Sequence, residues 1–274
     1  MNKKKGLVTG IISAVLLIAL LLYNGFNVNP HDLKVREETI VSSKIDDGLD
    51  GTLIAYFCDL HYGHNIKEED LDKLVEKINA FDPDIIIFGG DLLSNDEDID
   101  TGYLLNKLKE LDARYGKYTV LGDEDHLNGM SESILKEANF TMLTNTNGKI
   151  YIDGSFINLL GVDSLINGDP DIESAYEGVN PSYYTFVISH CPDIAKQLHA
   201  DKSDYILSGH SLGGPVYIPV INYFYRPEGA DEYYRGKHYL SGTVLDISNG
   251  VGTINKDIRM FADAEIVLYK LKAD

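Results

Sequence analysis

The chain has 274 residues, 44% of them apolar, enough for one large domain or two small ones with a real core, and this excludes a disordered chain. Its 43 acidic residues against 24 basic ones give a formal charge of −19, which argues against nucleic acid as a partner. Two cysteines, Cys58 and Cys191, are too few for a disulfide scaffold.

In chain order, residues 6–26 carry no charge and are dominated by Leu, Ile and Val. As a helix this run spans about 30 Å, the thickness of a bilayer's hydrocarbon core. Lys3, Lys4 and Lys5 precede it, and the following flank is uncharged until Asp32. The positive-inside rule therefore keeps residues 1–5 in the cytoplasm and puts the rest outside, in a single-pass protein of the cell membrane. A cleaved signal peptide is the competing reading, but the run is long for one and no small-x-small site follows in residues 23–30. Residues 27–51 read as a polar juxtamembrane segment and 52–274 as the folded domain. Without the three N-terminal lysines, the exported part carries 21 basic against 43 acidic residues, a formal charge of −22.

Within the domain, residues 52–57 read as a buried strand. Residues 67–80 read as a helix, with Leu71, Leu74, Val75 and Ile78 at i, i+3, i+4 and i+7. Asp82-Pro83-Asp84 is a turn, 85–88 a strand, Leu104 to Leu111 a helix, 118–121 a strand and 131–138 a helix, which makes βαβαβα. Two β-type runs in 149–162 surround Asp153-Gly154 as a hairpin. Then come a strand at 185–189, a helix at 193–199, a strand at 205–208, and β character through 239–247 and 265–271. The fold class is α/β, a mixed sheet or a pair of sheets flanked by helices.

Asp59, His61, Asp91, Asp123, His190 and His210 each sit just past one of these apolar runs. In open α/β sheets ligands bind beyond the carboxyl ends of strands, so the six converge on one edge. Oxygen and nitrogen donors in this mixture suit Mn, Fe or Zn, one or two ions per chain, and a carboxylate between two sets of donors can bridge a pair. Bound divalent ions would also supply the positive charge that draws an anionic substrate to so acidic a protein.

Phe57-Cys58-Asp59-Leu60-His61-Tyr62-Gly63, Phe88-Gly89-Gly90-Asp91, Leu121-Gly122-Asp123-Glu124-Asp125, Ile188-Ser189-His190-Cys191-Pro192-Asp193 and Gly209-His210-Ser211-Leu212-Gly213-Gly214, in that order, resemble the calcineurin-like metallophosphoesterases. The tail, Ser248-Asn249-Gly250-Val251-Gly252-Thr253 and Glu265-Ile266-Val267-Leu268, resembles them too. The resemblance covers nearly everything after Gly51 and is strongest to a membrane-anchored branch that includes hydrolases of lipid-linked pyrophosphates such as UDP-2,3-diacylglucosamine. It implies a four-layer αββα sandwich of two mixed sheets with metals at one edge. It also implies hydrolysis of a phosphodiester or pyrophosphate bond by metal-activated water, on a phosphorylated small-molecule or lipid-linked substrate. By position, Asp59 and His61 would hold the first metal, Asp91 would bridge, and His190 and His210 would hold the second.

Three family positions differ: the family's Asn ligand is Asp123, its catalytic His is Glu124, and its final His is Leu212. Leu212 cannot ligate, so the first ion keeps fewer protein donors, while Asp123 adds negative charge to the second site. An ionised Glu124 accepts but does not donate a hydrogen bond, which removes a proton source for the leaving oxygen. Three routes remain open. Glu124 is protonated beside Asp123 and Asp125, His126 takes over as the acid, or the substrate is a pyrophosphate whose leaving group needs little acid help.

A second function class stays open alongside, a pseudoenzyme that binds one metal or a phosphorylated ligand without turnover. A third is a serine esterase. Gly209-His210-Ser211-Leu212-Gly213 fits the G-x-S-x-G elbow, with Asp231 and His238 as the partners in chain order, but Pro219 denies it the helix that must follow. His31, His64, His199 and His238 belong to no motif and read as surface or packed histidines. His64, three residues past His61, is the one placed to substitute for the ligand missing at Leu212. Cys58 and Cys191 read as packing thiols. Tyr223, Tyr225, Arg226, Tyr233, Tyr234, Arg235 and Lys237 gather aromatics and cations in one stretch, suited either to lipid headgroups or a sugar, or to an exposed hairpin.

Overall fold

The structure, a computed structural model, describes residues 2–94, 99–218, 222–223 and 226–274. Helix α1 (Asn2–Asn27) contains the uncharged run and is long and apolar enough to cross a membrane, with its residues exposed from Lys5 to Tyr23. A short 3-10 turn (Asn29–His31) leads to β1 (Lys34–Ser42). There follow β2 (Leu53–Phe57), α2 (Glu68–Asn79), β3 (Ile85–Phe88), α3 (Thr101–Glu110), β4 (Lys117–Thr119), α4 (Asp123–Asn128), α5 (Ser131–Glu137) and β5 (Phe140–Met142). The second half comprises β6 (Thr146–Ile152), β7 (Ser155–Gly161), α6 (Ile172–Ala175), β8 (Thr185–Ile188) and β9 (Tyr205–Ser208), then β10 (Tyr217–Ile218), β11 (Asn222–Tyr223), β12 (Gly236–Leu240), β13 (Thr243–Ile247) and β14 (Glu265–Ala273).

Two six-stranded mixed sheets result, ordered β1-β14-β2-β3-β4-β5 and β12-β13-β9-β8-β7-β6. Period-two alternation packs them face to face. In β2, Ile54 and Tyr56 point into the cluster between the sheets with Leu159, Phe186 and Leu207 of the other sheet. Ala55 and Phe57 point the other way, onto Leu71, Leu74 and Ile78 of α2 and Leu104 and Leu108 of α3. On the outer face of the second sheet, Leu160, Val187 and Ile206 meet Ala175, Tyr176 and Ile194. This is the expected four-layer arrangement. Its fourth layer, however, is built from the four-residue α6 and 3-10 turns, because the helix expected at 193–199 is a 3-10 turn at Pro192–Lys196.

One boundary moves. Residues 34–42 fall in the stretch read as juxtamembrane, yet β1 is the edge strand of the first sheet, parallel to β14 over nine residue pairs. Its charged residues hid it: Arg36 is spent on buried Asp246 of β13 at 2.9 Å and on Glu265 of β14 at 3.3 Å, so a polar sequence encodes a strand clamped by ion pairs. The hairpin of β6 and β7 turns at Asp153-Gly154 as expected, with Ile152 paired to Ser155.

Candidate metal centre

Strands β2, β3, β8 and β9 all end at the same edge, and the loops that leave them, with the one that leaves β4, carry the six candidate residues. Asp59, His61, Asp91 and His210 have positive φ, between 44° and 68°, a region costly for side chains other than glycine and tolerated where surrounding structure fixes it. Close backbone approach does the fixing. A Cβ at Gly122 would overlap the Asp91 carboxylate, so only glycine lets β4's loop lie against β3's. Asp125 ties the same loops: its buried carboxylate accepts the N–H groups of Asp91 (2.8 Å), Leu92 (2.9 Å) and Gly122 (2.9 Å).

Around this frame two donor groups meet at Asp91, namely Asp59, His61 and Asp91, and Asp91, His190 and His210, with Asp123 beside the second. His190 Nε2 lies 3.1 Å from Asp91 Oδ2 and 3.9 Å from both Asp59 and Asp123, His210 Nδ1 lies 2.9 Å from Asp123 Oδ2, and His61 Nε2 lies 3.8 Å from Asp91 Oδ2. The far ring nitrogens are committed to backbone: His190 Nδ1–H donates to Gly89 O at 2.8 Å and His210 Nε2–H to Glu228 O at 2.7 Å. In its neutral form each of these two rings then turns a lone pair inward, toward the carboxylates. His61 Nε2, His190 Nε2 and His210 Nδ1 are buried without an aligned hydrogen bond among the described residues. Three orphaned imidazole nitrogens facing three buried carboxylates are unfavourable for the chain alone and fit one or two divalent cations.

The same imidazoles and carboxylates are strongly coupled as charges. Burial pushes the Asp91 carboxyl up, but His190, then His61 and His210, outweigh it and hold Asp91 well below the usual carboxylate range. For His190 burial works downward, and Asp91 overcomes it to lift the imidazole well above its ordinary value. Asp123 is likewise lowered against burial by His210 and His190. Asp125 is raised, by burial first and by the Asp91 charge second.

Asp123 is oriented by a hydrogen bond from the Ser164 hydroxyl and by the Cys191 thiol at 3.5 Å, and Asn167 Nδ2 donates to its backbone carbonyl at 3.1 Å. Nothing in the local sequence pattern marks Ser164 and Asn167, and the third motif contains Asp125 without disclosing that it ties the loops. Burial pushes both thiols, Cys58 and Cys191, far above their ordinary values, in keeping with packing.

The three changed positions surround the mouth. Glu124, in the first turn of α4, donates its N–H to Asp91 Oδ1 at 2.9 Å and lines a cavity of about 270 Å³ with Asp91, Asp123, His210 and Leu212. It also lines an adjoining cavity of about 420 Å³ with His61 and His64. His126 is placed otherwise than expected of an acid. Its Nε2 is 2.8 Å from Asp163 Oδ1, and it lines neither cavity, because a helical step of two residues turns it away from Glu124. His64 Nε2 lies 3.3 Å from Asp257, in the cavity wall rather than in either donor group.

The serine-esterase arrangement is not formed. Ser211 Oγ–H donates to Tyr234 O at 2.6 Å, His238 Nε2 lies 3.1 Å from Arg235 O, and the chain after Gly214 enters β10 instead of a helix. In the aromatic and cationic stretch, Arg226 stacks on Tyr234, Arg235 on Tyr217, and Lys237 pairs with Glu38. Tyr225 and the Tyr223 side chain lie outside the described residues.

A family model described as calcineurin-like phosphoesterase matches residues 53–214. The chain is 29% identical over 251 residues to the uncharacterized metallophosphoesterase YkuE of Bacillus subtilis, covering 90% of this chain and 88% of that one. It is 29% identical over 271 residues to the uncharacterized metallophosphoesterase Cj0846 of Campylobacter jejuni, covering 95% and 69%. A transmembrane protein with metallophosphoesterase domain from Danio rerio is 23% identical, with 95% and 62% covered. Among solved structures, a 5'-nucleotidase precursor from Thermus thermophilus is similar at a TM-score of 0.47 and 16% identity, over 73% of this chain and 49% of that one.

Proposed function

The chain belongs to the calcineurin-like phosphoesterase family, which binds divalent metal ions to hydrolyse phosphoesters, and from that premise we propose that it cleaves a phosphodiester or pyrophosphate of a membrane-associated substrate with an unequal pair of cation sites. The observation that carries this reading is the convergence of three orphaned imidazole nitrogens on Asp59, Asp91 and Asp123. Asp59 and His61 would hold the first cation, His190, His210 and Asp123 the second, and Asp91 both. When bound, such cations supply Lewis acidity and an activated water.

The chain's own residues do the rest. Asp91, locked by Asp125 through its N–H, fixes the spacing between the two donor groups. The Gly89 and Glu228 carbonyls hold the His190 and His210 tautomers. Glu124, at the wall of both cavities, is the ionisable side chain placed to meet a leaving oxygen, and it can donate there only when protonated. With His126 committed to Asp163, a leaving group that needs little protonation suits this site best, which favours a pyrophosphate or an activated diester.

For the chain as a whole, residues 1–5 would be cytoplasmic, 6–26 the anchor, and the domain extracytoplasmic, on the charge asymmetry of Lys3, Lys4 and Lys5. The test is hydrolysis of a bis-aryl phosphodiester by the full chain with added Mn, Zn, Mg or Fe. Cation-dependent turnover supports the reading. Its absence with every cation would favour the pseudoenzyme, whose warrant is the substitution pattern at Asp123, Glu124 and Leu212.

A further inference from the structure

The end of α1 is built into the loops that carry the metal centre. Gly25 O accepts the Arg259 N–H at 2.9 Å, Asn29 Nδ2 donates to Arg259 O at 2.8 Å, and a Cβ on Gly25 would come within 2.7 Å of Met260 Cγ, so glycine permits the contact. Met260 in turn bonds on both sides to the segment after His210: its N–H donates to Pro215 O at 2.8 Å and its carbonyl accepts from Tyr217 N at 3.0 Å. The Arg259 guanidinium, fully buried, donates to the carbonyls of Asn249 (2.9 Å), Gly250 (3.2 Å) and Ala262 (3.1 Å). That loop reaches the first donor group, because Gly252 N–H donates to Asp59 O at 2.7 Å.

Gly25 is the penultimate residue of the uncharged run, so whatever packs on it lies at the depth where hydrocarbon gives way to headgroups. The exposed side chains found there are mixed in character, Ile254 and Phe261 apolar and Asn255, Lys256 and Asp257 polar, as in the headgroup zone. Phe261, next to Met260, is 49% exposed, and Ile254, in the wall of both cavities beside Glu124, is 37% exposed. Arg235 lies over the Tyr217 ring at 4.5 Å and donates to Phe261 O at 2.6 Å, an aromatic and cationic pairing typical of a bilayer interface.

We propose that the 254–261 loop is a bilayer-contacting rim, held at the surface by the end of α1, so that the cation site opens beside lipid headgroups and takes a phosphate whose apolar tail stays in the membrane. This deepens the function proposed above and rests on α1 being membrane-embedded. Electrostatics fit a mostly neutral lipid surface, since the strong negative charge of the exported part repels anionic headgroups while the rim contributes Ile254 and Phe261.

The chain has no tryptophan, so each Trp variant carries a single tryptophan fluorophore. We would reconstitute full-length Phe261→Trp, Leu16→Trp and Tyr151→Trp into phosphatidylcholine vesicles with and without brominated acyl chains. Tyr151 is exposed near the end of β6 opposite the metal centre. The expected result is strong quenching at 16, clear quenching at 261 and none at 151. Equal emission and quenching at 261 and 151, with 16 quenched, would overturn the rim. No quenching at 16 would overturn it by removing its premise. If Phe261→Trp does not fold, Ile254→Trp reports the same rim by the same criterion. None of these readouts requires turnover, so a failure of the hydrolase reading is seen separately.

Discussion

The two candidate donor groups share Asp91 but are supported differently. Around His190 and His210, both outer ring nitrogens are bonded to carbonyls and Asp123 is held by Ser164 and Cys191. Around Asp59 and His61, the carboxylate accepts the His210 N–H at 3.0 Å and Gly250 packs against it, while buried Leu212, at the position where the family resemblance implies a further ligand, lines the cavity with Asp91, Asp123 and His210. One half is crowded with donors and negative charge, and the other is short of a donor. Shared topology therefore does not imply equal sites, because strand ends fix where backbone goes while single side chains fix how tightly a cation is held.

The largest effect should come from removing what the halves share. Asp91→Asn should lower cation-dependent hydrolysis on the order of 10²–10³-fold, read as kcat/KM against a soluble diester. Making Asp123→Asn, Glu124→His and Leu212→His together should erase the difference between the halves and raise turnover by about 10²-fold, the worth of a well-placed general acid. No gain would count against a working scaffold that has only lost its proton donor.

These expectations draw on both what the sequence disclosed and what it concealed. The strands, the hairpin at Asp153-Gly154 and the convergence of Asp59, His61, Asp91, His190 and His210 were legible, because apolar runs with a polar residue at the exit mark strand ends. Strand β1 was not, since its charges are compensated by Asp246 and Glu265, more than 200 residues away. Nor were Ser164, Arg259 and the tying role of Asp125, which act through contacts between distant loops. The direction of His126 was not legible either, because nearness in sequence to Glu124 says nothing of direction on a helix, and the side chain meets Asp163.

Within the donor-rich half, Ser164→Ala removes the bond that orients Asp123 and should weaken the tighter cation about 10- to 100-fold by equilibrium titration, leaving the weaker one nearly unchanged. In the other half, Leu212→His should tighten the weaker cation about tenfold. Histidine tolerates the φ of 53° at this position better than leucine, so the exchange should not cost stability. The smallest effect is thermal: Mn at 100 times the tighter dissociation constant should stabilise the fold by about 2.7 kcal/mol, and chelation should reverse it.

The most direct test is to titrate Mn into the full chain and follow it by electron paramagnetic resonance, in parallel with Asp91→Asn. The account predicts two ions of unequal affinity, at least about tenfold apart, the second giving an exchange-coupled spectrum that disappears in the variant. Two equal and uncoupled ions, or coupling that survives Asp91→Asn, would contradict it.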